Sequence, residues 1–238
     1  MGQEEGLANV RETDSLARGG YTMKIGMLGT GVVATTLGTK LLSTGHDVKI
    51  GEREPSNEKS LAWVKASGSK ASAGNFADAA THGELLFVAT AGGATLAALG
   101  AAGAANLAGK VVIDLSNPLD FSQGFPPLLS TLANDSIGEQ AQKAFPKARF
   151  VKTLNTVTAA LMVDPRSLAD GEHVMFLCGD DAAAKEIVTT ILRDDFGWKH
   201  LLDLGGISSA RATEGYLALW TRLYGKLGTG LFNLAIVK

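Results

Sequence analysis

The sequence has one cysteine, few aromatic residues and no long apolar run. Cys178 is the only cysteine in 238 residues, so an intrachain disulfide framework and a zinc site built from several thiolates are excluded. It follows the apolar residues 174–177, a position typical of a buried, reduced thiol in a protein core. No stretch of about 18 or more apolar residues occurs, so we expect no transmembrane helix.

The charge of the chain is nearly balanced, which excludes several kinds of partner. Its 22 basic and 24 acidic residues give a net charge of −2. We therefore expect neither nucleic acid nor an anionic membrane surface as a partner, because both need a basic surplus. Hydrophobic residues make up 45% of the chain, which is enough for a full globular core.

The N-terminal segment carries no recognisable targeting signal. Its first 22 residues are polar and lack the apolar core of a signal peptide. A myristoylation pattern that would begin at Gly2 fails at Gly6, where Ser or Thr is required. We expect a cytoplasmic protein in which residues 1–22 form a flexible extension, with Met23 as an alternative natural start.

Short apolar runs alternate with Ala-rich stretches that suit helices, and this alternation predicts an α/β fold with a mostly parallel, doubly wound sheet. The predicted strands are 24–28, 46–51, 84–90, 110–115, 150–155, 173–179 and 200–204. The predicted helices are 32–43, 56–67, 76–81, 94–107, 136–145, 182–192 and 207–224. The segment 117–137 is predicted to be a loop at the edge of the site.

The first predicted strand is followed directly by a glycine-rich turn. Gly29-Thr30-Gly31-Val32-Val33-Ala34 has the pattern G-x-G-x-x-A between a strand and a helix. In that context the first glycine permits a tight turn, and the second lets the backbone approach a pyrophosphate. The helix then directs its free N–H groups at the phosphates. The sequence therefore predicts a Rossmann dinucleotide-binding domain, which we place at 23–160, with a helical C-terminal extension at 161–238.

The residues after the second predicted strand bear on which dinucleotide binds. A carboxylate at this place usually accepts the ribose hydroxyls of NAD, whereas an arginine binds the 2′-phosphate of NADP. This chain has both, as Glu52 and Arg53. We favour NADP(H), with Arg53 on the phosphate and Thr30 adding a hydroxyl, and we keep NAD as an alternative. Glu52 is a second cofactor-binding candidate, but it would oppose a phosphate unless it turns to solvent.

The third, fourth and fifth predicted strands also end in small or polar residues. Ligands of open α/β sheets bind beyond the carboxyl ends of the strands, so these segments should converge on one crevice. Asn117 and Pro118 are candidate neighbours of the nicotinamide, and Asn155 and Thr156 lie at the end of the fifth predicted strand, at the same crevice. The candidate residues of these three segments are Thr90, Ala91, Gly93, Asn117, Pro118, Asn155 and Thr156.

Several catalytic signatures are missing from the sequence. It has no G-x-S-x-G elbow and no P-loop, and its four histidines are isolated from one another, so we predict no metal site. A nucleotide cleft without an evident acid–base pair suits hydride transfer between two rings, which depends mainly on their positions.

Several segments resemble the NADPH-dependent deazaflavin oxidoreductases, which exchange hydride between NADP and coenzyme F-420. The segments are MKIGMLGTGVVATTLGTK, IDLSNPLDF, VKTLNTVTAALMVDP, FLCGDDAAAK and LLDLGGISSARATEGYLALW. The chain is also similar to the cytoplasmic reductase domain of the STEAP metalloreductases, where the partner ring is a flavin. The resemblance begins at about Met23 and continues to the C-terminus.

The resemblance implies roles for individual residues. Thr30, Gly31, Val32 and Val33 would bind the pyrophosphate and its ribose. Glu52 departs from the Ser or Thr that the family has before its arginine, and Arg53 matches. Lys59 is the cation closest to Asn57, where the family has a basic residue. Gly93, Asn117 and Ala159 fall on cofactor-contact positions, and Asn155 falls in the deazaflavin pocket, where archaeal members have histidine.

The resemblance also implies a homodimer whose C-terminal helices pack near the second cofactor. The aromatic-bearing stretch 216–232 is compatible with that arrangement and equally with an ordinary core helix. The function we expect is hydride transfer between NADP(H) and a deazaflavin or flavin, with Asn155 and Thr156 as the catalytic pair near the acceptor ring. The alternatives are an imine or carbonyl reductase with a proton donor in the cleft, a ferric-flavin reductase, and a non-enzymatic NADP(H) sensor.

Overall fold

A central sheet organises the structure, a computed structural model that describes residues 21–54, 57–131 and 134–237. All but the last two residues of the predicted extension 1–22 therefore lie outside the described residues. In chain order the strands are β1 (Lys24–Leu28), β2 (Asp47–Glu52), β3 (Ala71–Asn75), β4 (Leu85–Val88), β5 (Val111–Asp114), β6 (Leu119–Asp120), β7 (Leu128–Leu129), β8 (Arg149–Thr153), β9 (Val174–Cys178) and β10 (His200–Asp203).

Eight of these strands form one sheet in the order β10-β9-β8-β5-β4-β1-β2-β3. The neighbours pair in parallel except β8 and β9, which are antiparallel. The run β3-β2-β1-β4-β5 is the strand order of a dinucleotide-binding fold. The strands are parallel, and the order in which the chain adds them changes sides between β1 and β4. The structure thus confirms the predicted Rossmann-like α/β fold.

Helices connect the strands and cover the sheet. They are α1 (Val32–Ser43), α2 (Glu58–Ser67), α3 (Phe76–His82), α4 (Thr95–Ala102), α5 (Ala104–Leu107), α6 (Ile137–Ala144), α7 (Ala159–Val163), α8 (Ala182–Thr190), α9 (Ala210–Gly215) and α10 (Leu217–Leu227). Successive strand residues such as Phe87 and Val88 belong to different buried apolar clusters. Both faces of the sheet are therefore buried, as the nearly continuous apolar strands predict.

The structure differs from the sequence-based expectation at several elements. Strand β3 is not predicted, because ASAGN has no β-branched or aromatic residue, and it forms by pairing with β2. The predicted helix 94–107 is interrupted at Gly103, whose φ is +90°. The helix predicted at 182–192 continues as a π-helical turn, Ile191–Asp195, and the one predicted at 207–224 is divided into α9 and α10.

Two other expectations concern single features. Cys178 is fully buried, and burial raises the pKa of its thiol to about 12, so it is inert as a nucleophile at neutral pH. Within the described ranges, the structure contains no helix with the length and apolar character that crossing a bilayer requires.

Candidate functional site

The glycine-rich turn after β1 has the geometry that a phosphate cradle needs. Gly29 has a φ of +131°, and a Cβ there would lie 2.6 Å from the carbonyl oxygen of Ala89. Gly31 precedes α1 with no side-chain cap, and a Cβ there would meet nothing within 4 Å. Ala34 is fully buried, which keeps α1 close to the sheet. The first turn of a 12-residue helix is thus left open to an anion.

Glu52, at the end of β2, is turned under α2 rather than toward solvent. Its side chain is 5% exposed, and Oε1 accepts hydrogen bonds from the Ser60 hydroxyl at 2.7 Å and from the Asn57 N–H at 3.2 Å. Glu52 therefore does not turn to solvent, the condition under which it would not oppose a 2′-phosphate, because the polar groups of α2's first turn attract the carboxylate. The other oxygen, Oε2, is buried and has no partner among the described residues.

Arg53 is exposed next to this buried carboxylate. Its guanidinium is therefore available to an anionic phosphate. Oε2 of Glu52 could accept a hydrogen bond from a ribose hydroxyl. Residues 55–56, which include the predicted start of the helix 56–67, lie outside the described residues. Arg53 suits the 2′-phosphate of NADP and Glu52 suits a ribose hydroxyl, so the residues at this end of the sheet do not by themselves choose between the two dinucleotides.

A cavity of about 540 Å³ opens at the carboxyl ends of β1, β4, β5 and β8. It lies at the point where the strand order reverses, which is where open α/β sheets bind their ligands. Eight of the residues predicted from the sequence line it. They are Gly31, Val32, Val33, Thr90, Ala91, Asn117, Asn155 and Ala159.

Two side-chain amides face each other on the wall of this cavity. The Nδ2 group of Asn117 donates to the carbonyl oxygen of Asn155 at 2.8 Å, and Nδ2 of Asn155 donates to Oδ1 of Asn117 at 3.0 Å. The residue before Asn155 is Leu154, which is fully buried with a φ of +62°. Such a conformation costs about 1–3 kcal/mol for a residue other than glycine and is concentrated at functional sites.

The backbone of this wall is packed closely against Gly92. A Cβ on Gly92 would lie 2.1 Å from the carbonyl oxygen of Asn117, so only glycine fits. Gly93, which the sequence analysis selected instead, has nothing within 4 Å of its Cβ position. The choice between adjacent glycines needed the tertiary contact.

Other predicted residues lie near the cavity without lining it. Thr156 is 1% exposed and its hydroxyl faces the sulfur of Met175, so Asn155 is the polar member of this pair on the wall. Pro118 is buried, and its carbonyl oxygen accepts from the Ser130 N–H. Gly29 and Thr30 form the turn beneath the wall.

The far wall consists of residues that the sequence analysis did not select. The lining residues of this group are Leu119, Phe121, Thr158, Met162, Leu217 and Trp220. Trp220 has two aromatic neighbours, and it stacks on Tyr224 at 5.4 Å and on Phe232 at 5.2 Å between centroids. Its indole N–H is buried and has no acceptor within the described part of the chain. The aromatic residues of the stretch 216–232 were the only feature of the sequence that pointed to this wall.

Titratable side chains are absent from the cavity wall in the described ranges. The polar groups there are the amides of Asn117 and Asn155, the hydroxyls of Thr90 and Thr158, and the indole N–H of Trp220. Across those same ranges, no three His, Cys, Asp or Glu side chains come together as a set that could hold a metal ion. The site can position planar rings and bind them by hydrogen bonds, but its walls supply no general acid or base.

The fold and the site together define a dinucleotide-binding protein of the oxidoreductase type. A family model described as "NADP oxidoreductase coenzyme F420-dependent" matches residues 24–118. A crystal structure of a candidate F420-dependent NADP reductase from Arthrobacter sp. FB24 is 47% identical, with a TM-score of 0.86. The match covers 91% of this chain and 100% of the Arthrobacter chain.

Two more distant proteins are also similar. Metalloreductase STEAP3 of Rattus norvegicus is 32% identical over 198 residues, which are 80% of this chain but only 36% of that protein. The chain thus spans about a third of the length of this curated relative. A reductive aminase from Aspergillus terreus, solved with NADPH and ethyl levulinate, shares the fold with a TM-score of 0.61 at 20% identity. That match covers 87% of this chain and 63% of the aminase.

The chain belongs to the family of F420-dependent NADP oxidoreductases, and it is an NADP-dependent oxidoreductase by that membership. The resemblance found in the sequence is thereby confirmed for both the deazaflavin family and the STEAP reductases.

Proposed function

We propose that this protein transfers hydride between NADP(H) and a deazaflavin or flavin ring bound in the same cavity. The observation that carries the proposal is the cavity wall, which joins the dinucleotide turn to an aromatic surface and has no titratable group among its described residues. When bound, NADPH supplies the hydride, and the accepting ring takes it up together with one proton from water.

The residues of this chain would do the work of positioning. The first turn of α1 would hold the pyrophosphate, and Arg53 the 2′-phosphate. The paired amides of Asn117 and Asn155 would fix the nicotinamide and the edge of the acceptor ring, while Trp220 would give that ring an apolar face. Holding two rings within about 3–3.5 Å in an aligned geometry is the main requirement of such a step.

A deazaflavin is our first choice of acceptor, because the Arthrobacter protein that is 47% identical is described as a candidate F420-dependent reductase. The second candidate is a flavin-linked ferric reductase, which the similarity to STEAP3 supports. An imine or carbonyl reductase is less well supported, because that chemistry needs a proton donor near the substrate and the described wall provides none.

The acceptor is tested by measuring oxidation of NADPH by the purified protein with a deazaflavin, with FAD or FMN, and with a ferric chelate plus flavin. We expect rapid oxidation with the deazaflavin. Turnover only with a flavin or a ferric-flavin mixture would move the assignment to the second candidate. Tight NADPH binding without turnover of any acceptor would contradict the enzymatic proposal and favour an NADP(H) sensor.

The role of Arg53 is tested by Arg53→Ala. A charge-assisted hydrogen bond to the 2′-phosphate is worth about 1.5–3 kcal/mol, so NADPH affinity should fall roughly 10- to 150-fold while NADH affinity stays unchanged. Lys65→Ala, which removes an equal charge from the exposed end of α2, is the control and should change neither affinity. An unchanged NADPH affinity in Arg53→Ala would rule out this phosphate contact.

We also propose that the protein assembles as a homodimer. Support comes from large apolar side chains that are exposed on α10 and on the segment around β6 and β7. They are Phe121, Phe125, Leu128, Leu219 and Leu227. Light scattering at several concentrations should give the mass of two chains, and the mass of one chain throughout would contradict the proposal.

A further inference from the structure

A buried lysine lies directly beneath the cavity wall. Lys152, on β8, is completely buried, and so is Asp114 on β5. The ammonium of Lys152 contacts Oδ2 of Asp114 at 2.9 Å and Oε1 of Glu214, on α9, at 2.8 Å. It also donates to the carbonyl oxygen of Ser116. An ammonium has three N–H donors, and each of them meets an acceptor here.

This network connects four separate elements of the chain. Asp114 accepts through Oδ1 from the backbone N–H of Ser116 at 2.9 Å and from its hydroxyl at 2.6 Å. Glu214 accepts from the backbone N–H groups of Ile137 at 2.9 Å and Gly138 at 3.1 Å, at the start of α6. Lys152 therefore holds β5, β8, α6 and α9 together at the carboxyl end of the sheet.

The residue that follows Ser116 is Asn117, which lies on the cavity wall and pairs with Asn155. Lys152 is thus linked to both members of the amide pair. It contacts the carbonyl oxygen of Ser116, which precedes Asn117, and its own strand leads to Asn155. Both routes cross only one to three residues of buried chain.

The chemistry of the network argues against a role in stability alone. Burying an ion pair costs several kcal/mol per ion, and well-packed apolar residues of similar volume are often as stabilising. Burial alone would lower the pKa of Lys152, but the charges of Asp114 and Glu214 outweigh it and raise that pKa, so the lysine is charged. Burial raises the pKa of Glu214, and the negative charge of Asp114 adds to the rise, while Lys152 and the Ile137 N–H oppose it.

We propose that Lys152 is a positioning residue for the hydride-transfer cleft, fixing the Ser116–Asn117 backbone and thereby the place of the nicotinamide ring. The inference rests on the proposed function, since it requires the nicotinamide beside Asn117. On the proposed function, the adenosine half of the cofactor would bind at the other end of the site, near Glu52 and Arg53, which are not members of the network. The two halves of NADPH should therefore respond differently when the network is removed.

The test uses the double variant Lys152→Met/Glu214→Gln, which removes one positive and one negative charge and leaves the net charge of the network unchanged. The dissociation constants of NADPH and of 2′,5′-ADP, which carries only the adenosine half, are measured by calorimetry. We expect NADPH to bind about tenfold more weakly, while 2′,5′-ADP changes by less than about twofold. Val188→Ala, in a buried position outside the cavity and the network, is the control for lost stability and should change neither constant.

Equal changes in both constants, or no change in either, would overturn the positioning role of Lys152. If the double variant does not fold, Glu214→Gln alone is measured with the same two ligands, and the same difference between them is required. Wild-type protein that binds 2′,5′-ADP but gains nothing from the nicotinamide half of NADPH would overturn the proposed function along with this inference.

Discussion

Gly92 and Gly93 are adjacent in the chain, but their surroundings differ completely. A methyl group on Gly92 would collide with the carbonyl oxygen of Asn117, whereas one on Gly93 would project into open space. Both lie in the same short turn after β4, so local sequence does not distinguish them. The close approach of the Asn117 backbone therefore requires glycine at position 92, and no such contact requires it at position 93.

Gly92→Ala should displace the Asn117 wall and destabilise the fold by about 1–3 kcal/mol, the usual cost of overpacking. NADPH should bind more weakly as a consequence. Gly93→Ala is the matched control, and its stability should stay within about 0.5 kcal/mol of wild type. Urea unfolding and NADPH titration measure both effects, and equal behaviour of the two variants would contradict the role of Gly92.

At the scale of elements, α10 forms part of the far wall of the cavity, where we propose that the acceptor ring binds. Its residues Leu217 and Trp220 line the wall, and the exposed face of the same helix carries Leu219 and Leu227. The helix ends at Gly228, which has the left-handed conformation typical of a C-terminal cap. A helix with one face on a cofactor cavity is a candidate determinant of acceptor choice.

Trp220→Ala should weaken acceptor binding without affecting NADPH. Stacking of aromatic rings adds about 0.5–1.5 kcal/mol, so the KM for the acceptor should rise roughly 2- to 12-fold. Trp220→Phe keeps a ring and should recover most of the loss, and Lys226→Ala, at an exposed position of the same helix outside the proposed dimer surface, should be neutral. Steady-state kinetics with varied acceptor at saturating NADPH give the answer, and an unchanged KM would remove Trp220 from the acceptor site.

At the scale of the whole molecule, the amino end of the sheet is joined to the C-terminal half through Asp195. Its carboxylate accepts from the Nε2 group of His46 at 3.0 Å and from the Tyr21 hydroxyl at 3.1 Å. The Met23 backbone N–H donates to Nδ1 of His46, which leaves the proton on Nε2. Burial alone would raise the pKa of Asp195, but these hydrogen bonds outweigh it and hold that pKa below its ordinary value.

A lowered carboxylate pKa has a definite consequence for stability. The unfolded chain binds a proton more readily than the native protein, so this contribution is complete above about pH 4 and is lost as the pH falls through the native pKa. Asp195→Asn should therefore lose about 1 kcal/mol of unfolding free energy at neutral pH, and lose less on acidification than wild type. Urea unfolding between about pH 7 and pH 3 measures this. The exposed Asp194→Asn is the control, and equal slopes for wild type and Asp195→Asn would contradict the assignment.

The features that could be predicted before the structure are those that depend on residues close together in the chain. The turn from Gly29 to Ala34 could be predicted because strand, glycines and helix follow one another within a single motif. The strands β1, β4 and β5 were recognisable from their apolar residues alone. Arg53 and the amides of Asn117 and Asn155 could be selected because parallel strands end at one edge of a sheet.

The features that join distant parts of the chain could not be predicted and follow from the tertiary structure. Strand β3 forms because it pairs with β2, and glycine is required at position 92 because of the contact with Asn117. The far wall of the cavity depends on where α10 packs. The lysine in VKTLNT reads as an ordinary polar residue until the fold brings Asp114 and Glu214 to it. Periodicity and motifs report on neighbours in sequence, whereas these contacts exist only once the sheet has assembled in its particular strand order.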